Sequence, residues 1–222
     1  MTRPLRVLSL FDRTGNWASG APEGSEIYTV DLLGEHGLRE VRGRKMWHTP
    51  GDVRGFDLVG DRVDVILAAP PCQGLGKQGK QAQSEGRSTM SEDDGLQLAQ
   101  AALDLVRRLQ PRVWCFENPA WSRLWTQCSP RGLVERQQVV LLGWWGLPAK
   151  KPTGLGGDYE PVPTPFPIPD IDVTDGGKRP GALKSRRGGI ASMSSSNPLR
   201  STTPPAFADA WWAANLPRLT GE

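Results

Sequence analysis

The chain has 222 residues and 27 Lys plus Arg against 24 Asp plus Glu, a net charge of +3. That length carries one full-sized core, and so weak an overall field makes no case for nucleic-acid binding unless charges cluster locally. Three cysteines without paired spacing argue against a disulfide framework or a zinc site, and the absence of a leader-like or membrane-length apolar run places the expected location in the cytoplasm.

Arg6 to Phe11 (RVLSLF) predicts a first strand, followed by the polar turn Asp12-Arg13-Thr14-Gly15-Asn16-Trp17. Glu26 to Leu32 alternates like a second strand and ends near Asp31. The residues after it are too irregular to assign, as far as the turn-like stretch Thr49-Pro50-Gly51-Asp52. Val63 to Ala69 (VDVILAA) predicts a buried strand, closed by Pro70-Pro71-Cys72-Gln73. Residues 73–94, poor in apolar side chains and rich in Gly, Gln and Lys, read as a long loop of the kind that serves as a lid or stays disordered. Ser91 to Asp94 would cap the next helix, Leu96 to Leu109, which has the clearest helical spacing in the chain.

Pro111 stops that helix, and Arg112 to Phe116 predicts another buried strand, leading out into Glu117-Asn118-Pro119. Leu133 to Trp145 is apolar and predicts a helix running into a strand. Pro148 to Pro180 is punctuated by prolines and glycines and is assigned no element. Pro204 to Leu216 predicts a short helix opened by prolines. Strands alternating with helices and loops predict an α/β fold with a mostly parallel sheet and flanking helices, in a single domain over 1–222.

Open α/β sheets bind ligands outside the carboxyl ends of their strands. Cys72 and Glu117, each at a strand exit fixed by proline, therefore predict one site with a nucleophile and an acid. Cys115 and Cys128 are expected to be structural, and the pairs Trp144-Trp145 and Trp211-Trp212 to lie in the core.

Taken in chain order, these stretches resemble the motifs of the cytosine-5 DNA methyltransferase family, in a compact, phage-like version without a full target-recognition domain. Leu10 to Trp17 resembles the family's first motif, Pro70-Pro71-Cys72-Gln73 its nucleophile motif and Phe116-Glu117-Asn118-Pro119 its Glu-Asn motif. Gly146 to Thr153 resembles a variant of its Gln/Arg motif, and Arg200 to Pro205 its last motif. The resemblance implies a Rossmann-like methyltransferase fold and S-adenosylmethionine as cofactor, held by Phe11, Gly15, Asn16, Trp17, Asp31, Asp52, Pro70 and Ser201. Asp31 would take the ribose hydroxyls and Asp52 the adenine.

The implied chemistry has Cys72 add to carbon 6 of cytosine while Glu117 protonates ring nitrogen 3 and Asn118 orients the loop. Lys150 or Lys151 would replace the family's arginine. A DNA substrate would have its target base flipped out, with the loop beyond Gln73 and Lys77 closing over it and Lys184, Arg186 and Arg187 on the phosphates.

The chain departs from the family in three places. Arg13 stands where a glycine is expected, and Ala149 with two lysines replaces the Gln/Arg pair. An irregular Pro/Gly/Ser-rich segment, 148–200, stands in place of a target-recognition domain. The short segment implies weak specificity, a short target or a separate specificity subunit. Two rival readings remain open at this point: the same chemistry on RNA or a free nucleotide, and an inactive methyltransferase-like binding module.

Overall fold

Val7, Leu8 and Leu10 are fully buried although they alternate in direction, so the first strand, β1 (Arg6–Leu10), is covered on both faces. It lies inside an eight-stranded sheet. The other strands are β2 (Glu26–Asp31), β3 (Gly37–Val41), β4 (Arg44–Pro50), β5 (Val65–Ala68), β6 (Val113–Pro119), β7 (Gln138–Leu141) and β8 (Pro152–Asp158). The computed structural model describes residues 3–57, 62–76, 90–146, 151–164 and 202–221. Lys184, Arg186 and Arg187, most of the 73–94 loop, Lys150 and Ser201 lie outside the described residues.

The sheet order is β3-β4-β2-β1-β5-β6-β8-β7. Its middle, β4-β2-β1-β5-β6, is parallel throughout. In chain order these five strands run third, second, first, fourth, fifth. That is the doubly wound arrangement, and its direction reverses between β1 and β5. The margins are antiparallel: β3 against β4 on one side, and β8 between β6 and β7 on the other. The sheet is therefore mixed, with the expected parallel pairing confined to its middle.

One layer of core joins Val7 and Leu67 to Trp17 and to Phe207, Trp211 and Leu219 of the C-terminal helix. The other joins Leu8 and Ile66 to Leu96, Ala99, Leu103 and Val106 of the central helix. Successive strand residues face opposite layers, which is why these strands read as unbroken apolar runs. The helices are α1 (Cys72–Leu75), a single turn, α2 (Glu92–Leu109) and α3 (Pro205–Thr220). No helix among the described residues is long and apolar enough to cross a membrane.

Helix α2 starts in a capping box: Asp94 N donates to Ser91 Oγ at 3.0 Å, and Ser91 N donates to Asp94 Oδ2 at 3.0 Å. Replacing the cap by Ser91→Ala is expected to lower the unfolding midpoint by roughly 2–4 °C in calorimetry. An unchanged midpoint would mean the cap adds nothing to the fold.

Three stretches differ from the sequence reading. Between Asp31 and Asp52 lies the hairpin β3–β4, turned by Arg42 and Gly43 at φ of 52° and 73°. This is a two-residue turn of the type that matches strand twist, hidden because arginine is an unusual residue at its first position. The stretch Leu133 to Trp145 holds no α-helix; it forms β7 and a 3-10 turn, Leu142–Trp145. Its apolar run is too short for periodicity to separate helix from strand, and the deciding partner, β8, is a glycine-rich stretch with no strand pattern of its own.

The strand β8 itself lies in a stretch assigned no element. Its glycines are there because neighbours press on it. A Cβ at Gly156 would sit 2.3 Å from the Glu135 carbonyl oxygen, and one at Gly154 within 2.8 Å of Trp125.

Candidate active site

The five parallel strands end along one edge of the sheet, so the turns that follow them are neighbours. Register aligns Leu10 with Val30 on β2 and with Ala68 on β5, and Ala68 with Phe116 on β6. One rung further along, Phe11, Asp31, Ala69 and Glu117 stand in a row. The crevice at the reversal point lies between the exits of β1 and β5.

After β1 the chain bends at Phe11, whose φ is +60° and whose N–H still donates to Val30 O at 2.7 Å. The Asp12 carboxylate, buried, then organises the turn. It accepts from Ser9 Oγ at 2.8 Å, Thr14 Oγ1 at 3.1 Å and Gly15 N at 2.7 Å. Gly15 has φ +69°, and a Cβ there would lie 2.4 Å from Met46 Sδ, so both the conformation and the space demand glycine. Arg13 is exposed and is not among the residues with positive φ, so its backbone does not need the glycine the family pattern has there. Trp17 lies in the core against Phe207 and Trp211, and its carbonyl accepts from Trp212 Nε1 at 2.9 Å. Asn16, half-buried, links the turn to it.

Asp31 ends β2 and accepts from Leu33 N at 2.9 Å through Oδ1. Asp52 follows β4, the strand paired with β2, and caps a 3-10 turn, accepting from Arg54 N at 2.9 Å. The Arg54 guanidinium also bonds its carboxylate and holds that carboxyl below its usual range. These acids therefore stand at neighbouring strand ends, and β3–β4 separates them only in sequence.

Past β5, Pro70 is buried and Cys72 opens α1 with its side chain exposed, beside exposed Gln73. A Cβ on Gly74 would come 2.3 Å from Ser91 O, so α1 sits directly on the start of α2. Arg123 N donates to Leu75 O at 2.8 Å and ties the loop after β6 to the same turn. Asn118 Nδ2 donates to Pro70 O at 2.6 Å, joining the Pro-Pro-Cys turn to β6.

Glu117 and Asn118 lie inside β6 rather than at its exit, because β8 extends the pairing antiparallel: Glu117 opposite Leu155, Asn118 opposite Gly154 and Pro119 opposite Thr153. Glu117 is 9% exposed, and its Oε1 is buried without a hydrogen-bond partner. Lys151 Nζ stands 3.5 Å from that oxygen, an ion pair too long for a good hydrogen bond. Lys151 is placed there by the residue at which the chain turns into β8, where its φ is +23°.

The structure thus brings Cys72, Asn118, Glu117 and Lys151 to one side of the crevice, and Phe11, Gly15, Asp31 and Asp52 to the other. Lys77, Lys150, Lys184, Arg186, Arg187 and Ser201 lie outside the described residues. Sequence reasoning missed Asp12 as the organiser of the first turn, although an acid two residues after a buried strand was its available signal. It also missed Arg39, for which the sequence carried no signal because its hairpin was unassigned. No group of three or more His, Cys, Asp or Glu among the described residues is placed to hold a metal ion.

No protein-family model matches the chain, and no curated protein matches it. Among solved structures it is similar to an E. coli chain described as a DNA modification methyltransferase encoded within a prophage. That chain is 21% identical with a TM-score of 0.48, over 69% of this chain and 46% of that one. This chain therefore spans less than half the length of that protein.

Proposed function

We propose that the chain is a DNA methyltransferase that modifies carbon 5 of cytosine through a covalent adduct on Cys72, using S-adenosylmethionine. Its Rossmann-like fold forms a single catalytic domain over residues 1–222, with 148–200 in place of a target-recognition domain. The observation that carries this reading is the 2.6 Å bond from Asn118 Nδ2 to Pro70 O. It holds the turn bearing an exposed thiol against the strand bearing Glu117, a carboxyl whose buried Oε1 has no hydrogen-bond partner. An acid kept in that state is suited to a ligand that brings its own acceptor.

The residues on the cofactor side fit S-adenosylmethionine. Asp31 and Asp52 put carboxylates at adjacent strand ends, suited to ribose hydroxyls and to the adenine amino group. Phe11, Gly15, Asn16 and Pro70 flank the crevice at the reversal point, and Trp17 anchors the first turn in the core. Ser201 completes the proposed set. Bound there, the cofactor supplies an electrophilic sulfonium methyl group.

Cys72 as thiolate forms a bond to carbon 6 of the flipped base, and the displaced electron pair makes carbon 5 nucleophilic. Glu117 gives its proton to ring nitrogen 3, which removes the charge that would oppose the addition. Once carbon 5 has taken the methyl group, with S-adenosylhomocysteine as the leaving thioether, loss of the carbon 5 proton to water drives the electron pair back and expels the Cys72 thiolate, and ring nitrogen 3 returns its proton to Glu117. Lys151 supplies a cation beside Glu117. Gln73, Lys77, Lys184, Arg186 and Arg187 contact the DNA, and the short 148–200 segment is matched by weak specificity, a short target or a separate specificity subunit.

The test is transfer of labelled methyl from S-adenosylmethionine to double-stranded DNA, followed by nucleoside analysis. Label in 5-methylcytosine is expected. Label only in an amino-methylated base, or only in RNA or free nucleotides, would overturn the proposal.

A further inference from the structure

Hairpin β3–β4 does more than extend the sheet. Arg39 of β3 reaches across the face of β4 and β2, past Thr29, to the turn after β1. Its Nη1 donates to the Arg13 carbonyl, and its Nη2 to the Asp12 carbonyl at 3.1 Å and to Thr29 Oγ1 at 2.9 Å. Thr29 is buried and in turn bonds His48 Nδ1 at 2.9 Å, while His48 Nε2 meets Leu33 O at 3.1 Å. Met46 of β4 supports Gly15 from below. The turn is therefore gripped from two directions: the Asp12 carboxylate takes the Thr14 hydroxyl and the Gly15 N–H, and the Arg39 fork takes the carbonyls of Asp12 and Arg13.

This arrangement is costly to build. Burial lowers the Arg39 pKa against the pull of Asp12 and Asp31, and its Nε is buried without a hydrogen-bond partner. A guanidinium stays charged even so. Its planar fork suits a pair of adjacent carbonyls in a way a lysine does not. The grip also gives Arg13 a use that does not depend on its side chain, because the contacted atom is its carbonyl oxygen.

We propose that Arg39 is a positioning residue for the cofactor, holding the Asp12–Gly15 turn in its binding conformation before the cofactor arrives. Preorganisation of this kind lowers the ordering cost of binding and leaves the reacting atoms untouched. The inference rests on the cofactor reading above.

The full-length chain and the variants Arg39→Met, Arg39→Lys, Thr29→Val and Arg13→Ala would be titrated with S-adenosylhomocysteine by calorimetry. Methylation at saturating S-adenosylmethionine and amide exchange at Gly15 would be measured alongside. Arg39→Met is expected to weaken binding by roughly 10- to 100-fold and to speed Gly15 exchange, with the saturated rate within about twofold of the parent. Arg39→Lys should recover part of the loss, Thr29→Val should show a smaller one, and Arg13→Ala should bind like the parent.

Parental affinity and parental Gly15 exchange in Arg39→Met would overturn the inference. So would a saturated rate that falls in step with affinity. If Arg39→Met fails to fold, the affinity and exchange of Arg39→Lys and Thr29→Val decide by the same criteria. A parent chain that binds no cofactor would overturn the cofactor reading itself; binding by the parent with no change in the variants overturns only the role of Arg39.

Discussion

Cys72→Ala is expected to abolish the covalent complex with DNA containing 5-fluorocytosine and to lower methylation by roughly 10,000-fold or more, while cofactor affinity stays at the parental value. Fluorine at carbon 5 blocks the final proton loss, so an enzyme that adds through Cys72 stays attached to its substrate. The band of slower mobility on a denaturing gel then requires thiol, cofactor and base together. The variant should fold, because the side chain it truncates is exposed and the turn it opens is held elsewhere. Pro70 O is bonded to Asn118, Leu75 O to Arg123, and α1 rests on α2 through Gly74. A change at such a surface position falls within about 0.5 kcal/mol of neutral. Persistence of the adduct in Cys72→Ala would assign the nucleophile to another group and remove the basis of the proposed mechanism.

The parts of this fold legible in the sequence were those whose signal is local. β1, β5 and β6 announce themselves as apolar runs because both faces are covered, and α2 does so through helical spacing and its Ser91 cap. The hairpin β3–β4 escaped because β3 is an exposed marginal strand with Leu38 and Glu40 facing solvent, the buried face of β4 is carried only by Met46 and His48, and Arg42-Gly43 is not a common turn signal. Strand β8 escaped because its identity comes from pairing with β6 and β7. Its three glycines would weaken any isolated strand, yet here they admit neighbouring backbone and Trp125.

The site divides in the same way. Cys72, Glu117 and Asp31 stand beside recognisable strands, whereas Asp52, after the unassigned β4, was named through the motif resemblance alone. Lys151 could not be told from Lys150 without the turn that starts β8, and Trp17, a residue of the first motif, proves to be buried beneath the turn it belongs to. Arg39 depends on a long-range approach between strand β3 and the turn after β1, which no local pattern encodes.

Glu117→Gln separates the carboxyl's proton from its shape. Glutamine has nearly the same volume and keeps an N–H donor and a carbonyl acceptor, so the β6–β8 pairing and the Asn118 bond to Pro70 should survive. What it lacks is a transferable proton. Removing one general acid costs typically 100- to 10,000-fold, and that range is expected here for single-turnover methylation and for the rate of adduct formation with 5-fluorocytosine DNA. Asp31 and Asp52 lie across β1 from Glu117, so affinity for S-adenosylhomocysteine should be unchanged. Stability should hold or fall slightly, since the amide is as buried and unpartnered as the carboxyl oxygen it replaces and Lys151 loses its ion-pair partner at 3.5 Å. A Glu117→Gln rate within tenfold of the parent would mean that a hydrogen bond suffices at ring nitrogen 3 and that proton transfer comes from elsewhere. Parallel losses in rate and cofactor affinity would instead mean that the substitution disturbs the sheet edge, and Glu117 would then be a structural residue rather than the acid.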